Sequence, residues 1–277
     1  MTKSIRLILS DIDGTILNTD HQVDSDLRET IALLKEENIP FVLASARSPH
    51  GMFPIAETLD LGKNPIACYN GALIIEGNKE DYQTLIEHPL DTNDIKHLVQ
   101  IITEKFPHIS INIYSEGDWI VEKIDQWVQI EADITKEMPL QIPFDELLAA
   151  NRPIHKMLLI ATPKEIQEVF EFLKTVDFAD ASFYLSKDNY LEVTSKSVSK
   201  ENALVEIAKY YQVPLENTMT IGDNYNDIPM LRLAGLGVAM ANAHQEVKNY
   251  ANVETCSNNE NGVSKAIQCY VFNAENN

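Results

Sequence analysis

The strongest limit on the fold is a rhythm of short apolar runs and amphipathic stretches. "LILS" runs straight into Asp11, and "FVLAS" stops at Arg47. Between them "SDLRETIALLKEEN" sets Leu27, Ile31 and Leu34 on one helical face, with Asp24 or Ser25 placed to cap its start. Parallel strands need a long crossover, usually a helix, so this spacing predicts a βαβ unit. "SPHGMFPIAETLDLG" predicts a helix entered at Pro49 and closed near Gly62. "PIACYNGALII" reads as a strand broken by a turn at Asn70-Gly71, and "LIIEGNKEDYQTLIE" as two strands about a Gly-Asn turn.

From about residue 84 to 192 the pattern changes. "DTNDIKHLVQIITEKF" and "PKEIQEVFEFLKTV" are helical, "HISINIYS" and "DWIVEK" alternate like antiparallel strands, "HKMLLIAT" is a strand, and "ASFYLS" with "YLEVTS" suggests a hairpin. That mixture predicts an α+β domain with helices on one face of an antiparallel sheet. The first rhythm then returns: "SKENALVEIAKYYQ" is a helix, "TMTIGD" a strand, "NDIPMLRLAG" a helix, "LGVAM" a strand and "AHQEVKNYA" a helix. The expected fold is α/β: a Rossmann-like parallel-sheet core from residues 1–83 and 193–277, with an inserted α+β cap domain at 84–192.

Composition narrows the partners. The chain has 277 residues, 44% of them hydrophobic, enough for one large or two modest domains. It carries 22 basic against 42 acidic side chains, a net charge of −20. Such a surface repels nucleic acid and anionic membranes, and an anionic substrate needs a metal or local positive charge. No apolar run approaches the roughly 20 residues of a membrane span, and Asp11 and Asp13 interrupt the only patch that could imitate a signal peptide. Cys68, Cys256 and Cys269 lack metal-ligand spacing and read as buried, reduced thiols of a cytoplasmic protein. His88, His97, His108 and His155 likewise lack ligand spacing and read as structural or exposed. Monomer and dimer both stay open.

Several chemistry-bearing residues fall at the carboxyl ends of expected strands: Asp11 and Asp13, Ser45, then Asp223, Asn226 and Asp227. Lys200 joins them from a helix start. Singly, each is more simply a turn residue, a cap or a surface charge. Together they share the sheet edge where open α/β folds bind ligands. Gathered carboxylates repel one another unless a counter-charge is present, and hard oxygen ligands in small number suit Mg²⁺, which joins carboxylates to phosphate. One carboxylate could then attack phosphorus while its neighbour moves protons.

"DIDGTIL", "FVLASAR", "SVSKENAL" and "IGDNYNDIPML" resemble, in order, the four motifs of the haloacid dehalogenase-like phosphatase superfamily. Their wording, "YNGA", and an insert between the second and third motifs are similar to the Cof-type branch, with its α+β cap of subclass IIB. The resemblance spans the chain. It implies that Asp11 is the nucleophile and forms an aspartyl phosphate, and that Asp13 protonates the leaving group and then activates water. Mg²⁺ would be held by a carboxylate oxygen of Asp11, the backbone carbonyl of Asp13, and Asp223, with Asp227 orienting a metal-bound water or the nearby lysine. Ser45, the amides of Ala46 and Ile12, Asn226 and Lys200 would hold phosphate oxygens.

Two departures from the pattern bear on affinity and rate more than on reaction type. Ala46 stands where glycine is usual, and Ser197 and Glu201 stand where glycines flank the third motif. Arg47 has two readings, one structural and one as a partner for cap acids. Tyr114, Asp118, Trp119, Trp127, Glu131 and Tyr184 are the cap's candidate substrate contacts, each more often core or surface. The expected function is a Mg²⁺-dependent phosphatase of small phosphorylated metabolites, such as sugar phosphates or a phosphorylated cofactor. A phosphosugar mutase, a phosphate-receiver module and a degenerate binding protein are the rivals. A receiver must let its phosphoaspartate persist, and Asp13 argues against that.

Overall fold

The computed structural model describes residues 4–272. The chain divides into two compact units. The first takes the described residues up to Arg47, Gly51–Ile86 and those from Ser199 onward; the second takes Ser48–His50 and Glu87–Val198.

The first unit opens with β1 (Leu7–Ser10), α1 (Leu27–Glu36), β2 (Phe41–Ala44), α2 (Pro49–Thr58), β3 (Ile66–Cys68), β4 (Leu73–Gly77) and β5 (Tyr82–Glu87). β1 and β2 are buried at every position, as unbroken apolar runs in the middle of a covered parallel sheet must be. α1 turns Leu27, Ile31 and Leu34 inward and carries Glu29 and Lys35 at the ends that suit their charges. Its start differs from expectation. Asp26 holds the cap position without a side-chain bond to the helix's first amides, while Asp24 accepts from the Asp26 N–H at 2.8 Å and from the Ser264 hydroxyl at 2.7 Å.

The second unit contains α3 (Thr92–Lys105), β6 (Ser110–Ser115), β7 (Asp118–Val121), α4 (Gln126–Thr135), β8 (Leu140–Gln141), α5 (Phe144–Ala149), β9 (Lys156–Ile160), α6 (Pro163–Leu173), β10 (Ala181–Lys187) and β11 (Tyr190–Ser195). Its six strands run in the order β10-β11-β9-β6-β7-β8, antiparallel except for β7 with β8. Ile113, Met157, Leu159, Leu191 and Val193 form the core with Leu98 and Ile102 of α3 and Ile166 and Val169 of α6. Helices on one face were expected, yet α4 lies against the other. Its buried Glu131 accepts a hydrogen bond from the hydroxyl of Tyr190, which faces away from its core neighbour Leu191.

The chain then returns to the first unit with α7 (Lys200–Tyr210), β12 (Thr218–Gly222), α8 (Ile228–Leu233), β13 (Leu236–Ala239), α9 (Gln245–Lys248), β14 (Val253–Glu254) and α10 (Gly262–Ile267). The sheet has eight strands, in the order β14-β13-β12-β1-β2-β3-β4-β5. Pairing is parallel from β14 through β3 and turns antiparallel at β4. Leu7, Leu9, Val42 and Ala44 pack on Leu204 and Ile207 of α7 and Met230 of α8.

The cysteines depart from the sequence reading. Cys68 is buried at the end of β3, but Cys256 is half-buried and Cys269 exposed; all are free thiols.

Candidate active site

β1 lies between β2 and β12, with Ser10 opposite Leu43 on one side and Ile221 on the other. The parallel register brings the carboxyl ends of these strands to one edge. Asp11 follows β1, Ser45 follows β2 and Asp223 follows β12. The crossover after β1 leads to β2 and the one after β12 leads the opposite way to β13, which opens between β1 and β12 the crevice where α/β sheets bind ligands.

The Asp11, Asp223 and Asp227 carboxylates each place an oxygen within 4.8 Å of the others. Lys200 enters from the first position of α7, whose start is fixed by the Ser199 hydroxyl accepting from the Asn202 N–H at 3.1 Å. The lysine is only 2% exposed. Its Nζ donates to Oδ1 of Asp11 and, at 2.6 Å, to Oδ1 of Asp227. The other oxygen of Asp227 accepts the backbone N–H groups of Asp223 and Asn224, both at 3.0 Å. Asp227 therefore anchors the loop and the lysine, leaving Asp11 and Asp223 as the more open pair. Thr15, inside the first motif, donates its hydroxyl to Asp223 Oδ1 at 2.9 Å.

Two glycines permit this crowding. Gly14 has φ +82, and a Cβ there would stand 2.4 Å from Asp223 Oδ2. At Gly222 a Cβ would stand 2.6 Å from the Asp227 side chain.

Three buried or half-buried carboxylates face one ammonium, so the cluster carries surplus negative charge. Burial pushes Asp11 up, against the pull of Lys200 and with the charges of Asp227 and Asp223 adding to the rise. Asp223 is pushed up to about 6, by burial first and the Asp227 charge second. Burial alone would lower Lys200, but Asp11 and Asp227 outweigh it and push the ammonium up. The donors are hard oxygens, and a small divalent cation would supply the missing charge.

Cation binding requires ionised carboxylates and releases their protons. A raised carboxylate holds its proton up to the higher value, so affinity should fall as pH drops through about 8, where Asp11 takes up its proton, and further through about 6, where Asp223 does. Calorimetric titration with Mg²⁺ from above the higher value to below the lower one checks this, and a flat profile would contradict it. In the metal-free protein the sign for stability is reversed. The raised group favours the fold at lower pH, and that contribution is lost as pH rises through its folded value.

The remaining expected residues lie in the loops that follow β1, β2 and β12. Ser45 is buried; its hydroxyl accepts from the Arg47 N–H at 3.3 Å and its carbonyl from the Asn70 N–H at 2.7 Å. Ala46 is absent from the residues with positive φ, so the loss of glycine costs this turn no backbone strain. Ile12 is buried, and Asn226 is exposed on the turn that ends in Asp227. Asp13 stands apart: its carboxylate is not in the cluster but is gripped on both oxygens by Arg47. Arg47 thus supports a carboxylate of the first motif, in keeping with its structural reading.

Thr15 and Asn242 were not anticipated. Asn242 follows β13, donates to the Gly14 carbonyl at 2.8 Å and accepts from the Asn258 N–H at 3.0 Å, tying the first-motif turn to the C-terminal segment. The strand-end rule that singled out Asp223 would also have found it.

The expected cap contacts are engaged within the second unit. Tyr114 stacks on Trp119, whose indole N–H donates to Asn112 Oδ1 at 2.9 Å. Tyr184 donates to Glu192 at 3.0 Å, and Asp118 pairs with Arg152 at 2.7 Å. Trp127 is half-buried in the first turn of α4, where its N–H donates to Asp125 at 2.9 Å.

Residues 8–267 match the haloacid dehalogenase-like hydrolases. The chain belongs to that family. It is 35% identical over 265 residues to a Haemophilus influenzae protein provisionally named a phosphatase, covering 95% of this chain and 97% of that one. It is 27% identical over 273 residues to the Bacillus subtilis 5-amino-6-(5-phospho-D-ribitylamino)uracil phosphatase YcsE, covering 97% and 96%. The crystal structure of a haloacid dehalogenase-like hydrolase from Bacteroides thetaiotaomicron superposes with a TM-score of 0.84 at 30% identity, covering 96% and 99%. This member of the family is an enzyme of the phosphatase kind, with the α/β fold its motifs implied. Among the described residues no helix is long and apolar enough to cross a membrane.

Proposed function

We propose that this haloacid dehalogenase-like phosphatase hydrolyses small phosphorylated metabolites, sugar phosphates or a phosphorylated cofactor, with Mg²⁺ and through a phosphoaspartate at Asp11. The observation that carries the reading is the buried arrangement of Asp11 and Asp227 on Lys200, with Asp223 beside them. Surplus negative charge at a site meant for an anion is unfavourable unless a cation joins it.

Asp11 attacks phosphorus through a carboxylate oxygen while Lys200 holds its Oδ1. The ester P–O bond breaks, and Asp13, having taken up a proton from solvent, gives it to the departing oxygen. Asp13, now ionised, takes a proton from water, whose oxygen displaces Asp11 from phosphorus and releases inorganic phosphate. The Ser45 hydroxyl, the Ala46 and Ile12 amides, the Asn226 side chain and Lys200 hold phosphate oxygens. Asp11, the Asp13 carbonyl and Asp223 would hold Mg²⁺, with Asp227 behind them. When bound, the ion neutralises charge on the transferring group.

The relative that acts on a phosphorylated ribityl compound supports a polyol or sugar phosphate as the substrate class. The inserted segment 84–192 serves as the cap that selects the leaving group. The free thiols fit work in a reducing compartment such as the cytoplasm.

The test is turnover of a panel of phosphorylated metabolites, read as phosphate release. Activity should vanish in chelator and return with Mg²⁺, while Ca²⁺, larger and looser in geometry, should restore it poorly. Full turnover in chelator would remove the metal from the scheme.

A further inference from the structure

Arg47 closes the second motif, and its guanidinium takes Asp13 as a fork takes a carboxylate. Nε donates to Oδ2 at 2.9 Å and Nη2 to Oδ1 at 2.6 Å, while Nη1 lies 3.5 Å from the Gly51 carbonyl. The arginine's main chain is fixed at the same point. Its N–H donates to the Ser45 hydroxyl, and its carbonyl accepts from the Tyr69 N–H at 3.0 Å. Two parallel hydrogen bonds set the plane of a carboxylate as well as its place.

Stability is a poor explanation for this pair. The Asp13 side chain is 51% exposed and that of Arg47 33%, and ion pairs so exposed contribute about 0–1 kcal/mol. The contrast with Asp11 is direct. That carboxylate is buried against Lys200, whereas Asp13 would be loose without its fork. A proton donor works only when it faces the reacting oxygen within hydrogen-bond reach.

We infer that Arg47 is a positioning residue that acts through Asp13, aligning the proton-transferring carboxylate with the leaving group. The inference rests on the phosphatase reading and on the role given there to Asp13. In this scheme Arg47 holds no phosphate oxygen. Its effect should depend on how much the leaving group needs a proton. A sugar alkoxide needs one; nitrophenolate hardly does.

The experiment compares wild type, Arg47→Ala and Arg47→Lys on a hexose phosphate and on nitrophenyl phosphate, with Mg²⁺ present. Small misplacements of a catalytic group can cost up to about 100-fold. Arg47→Ala should therefore lower kcat on the hexose phosphate by roughly 10–100-fold more than on nitrophenyl phosphate. The loss should fall on kcat rather than KM. Arg47→Lys keeps the charge but not the fork, and should behave like Ala. In an Asp13→Asn background, Arg47→Ala should add no further discrimination between the esters.

Equal losses on both esters, a discrimination that persists in the Asp13→Asn background, or full rescue by lysine would each overturn the inference while leaving the phosphatase reading intact. A wild type that hydrolyses neither ester, nor any of the metabolite panel, would overturn the phosphatase reading itself and the inference with it. Thermal melting of each variant reports on folding, and the lysine variant carries the comparison if the alanine variant does not fold.

Discussion

Asp11→Asn should abolish turnover of every phosphate ester alike, while Asp13→Asn should separate them by leaving group. Without Asp11 no phosphoenzyme can form, and the identity of the ester is irrelevant. Without Asp13 the nucleophile remains, but the departing oxygen receives no proton. General acid-base catalysis is typically worth about 10²–10⁴-fold, and that factor should be lost on a sugar phosphate. Nitrophenyl phosphate should still phosphorylate Asp11. The adduct would then accumulate, since water lacks its base, and a burst of nitrophenol should precede a slow steady state. Rapid-mix kinetics and mass spectrometry of the protein read both outcomes. An Asp13→Asn protein as inactive as Asp11→Asn toward nitrophenyl phosphate, with fold and Mg²⁺ binding intact, would refute the division of labour.

Lys200→Met should be the most destabilising single change at the site. The lysine is almost fully buried and is shared by Asp11 and Asp227. Methionine fills similar space but leaves two buried carboxylates facing each other. Breaking a buried pair by removing one partner typically costs about 3–5 kcal/mol. Denaturant unfolding in chelator should show a loss of that order near neutral pH. Adding Asp227→Asn should return part of it, because one uncompensated charge is gone. Mg²⁺ should stabilise this variant more than the wild type by providing the missing cation. A variant that unfolds in chelator at the wild-type midpoint would mean that the carboxylates find their compensation elsewhere.

The grouping of Asp11, Asp223, Asp227 and Lys200 was legible because each member follows a strand or opens a helix, and both positions are set by local pattern. The parallel sheet was legible for the same reason. The partner of Arg47 was not, since a rotamer decides which of several acids a long side chain meets. Helix α4 was missed for a more specific cause. It buries Glu131 and leaves Ile130 45% and Ile134 59% exposed, so its hydropathy contradicts its orientation. The Tyr190 hydroxyl makes that inversion tolerable by bonding the buried carboxylate. β8 and β14 each have two residues, too few to display any period. Asp24 was expected at a helix cap, but its reach to Ser264 is a tertiary matter that no local window contains.

The position of β1 also governs when the enzyme can exist during its own synthesis. As the chain leaves the ribosome, β1 finds β2 within a few dozen residues, but its other edge stays bare until Thr218–Gly222 emerges. The second unit's long continuous stretch, Glu87–Val198, is made in that interval. An uncovered apolar edge is open to pairing with other chains, so this is the stage at which nascent copies are most prone to associate wrongly. Over the same interval Asp11 lacks both Lys200 and Asp223. A chain released before β12 therefore lacks the carboxylates of Asp223 and Asp227 that the complete fold sets beside Asp11.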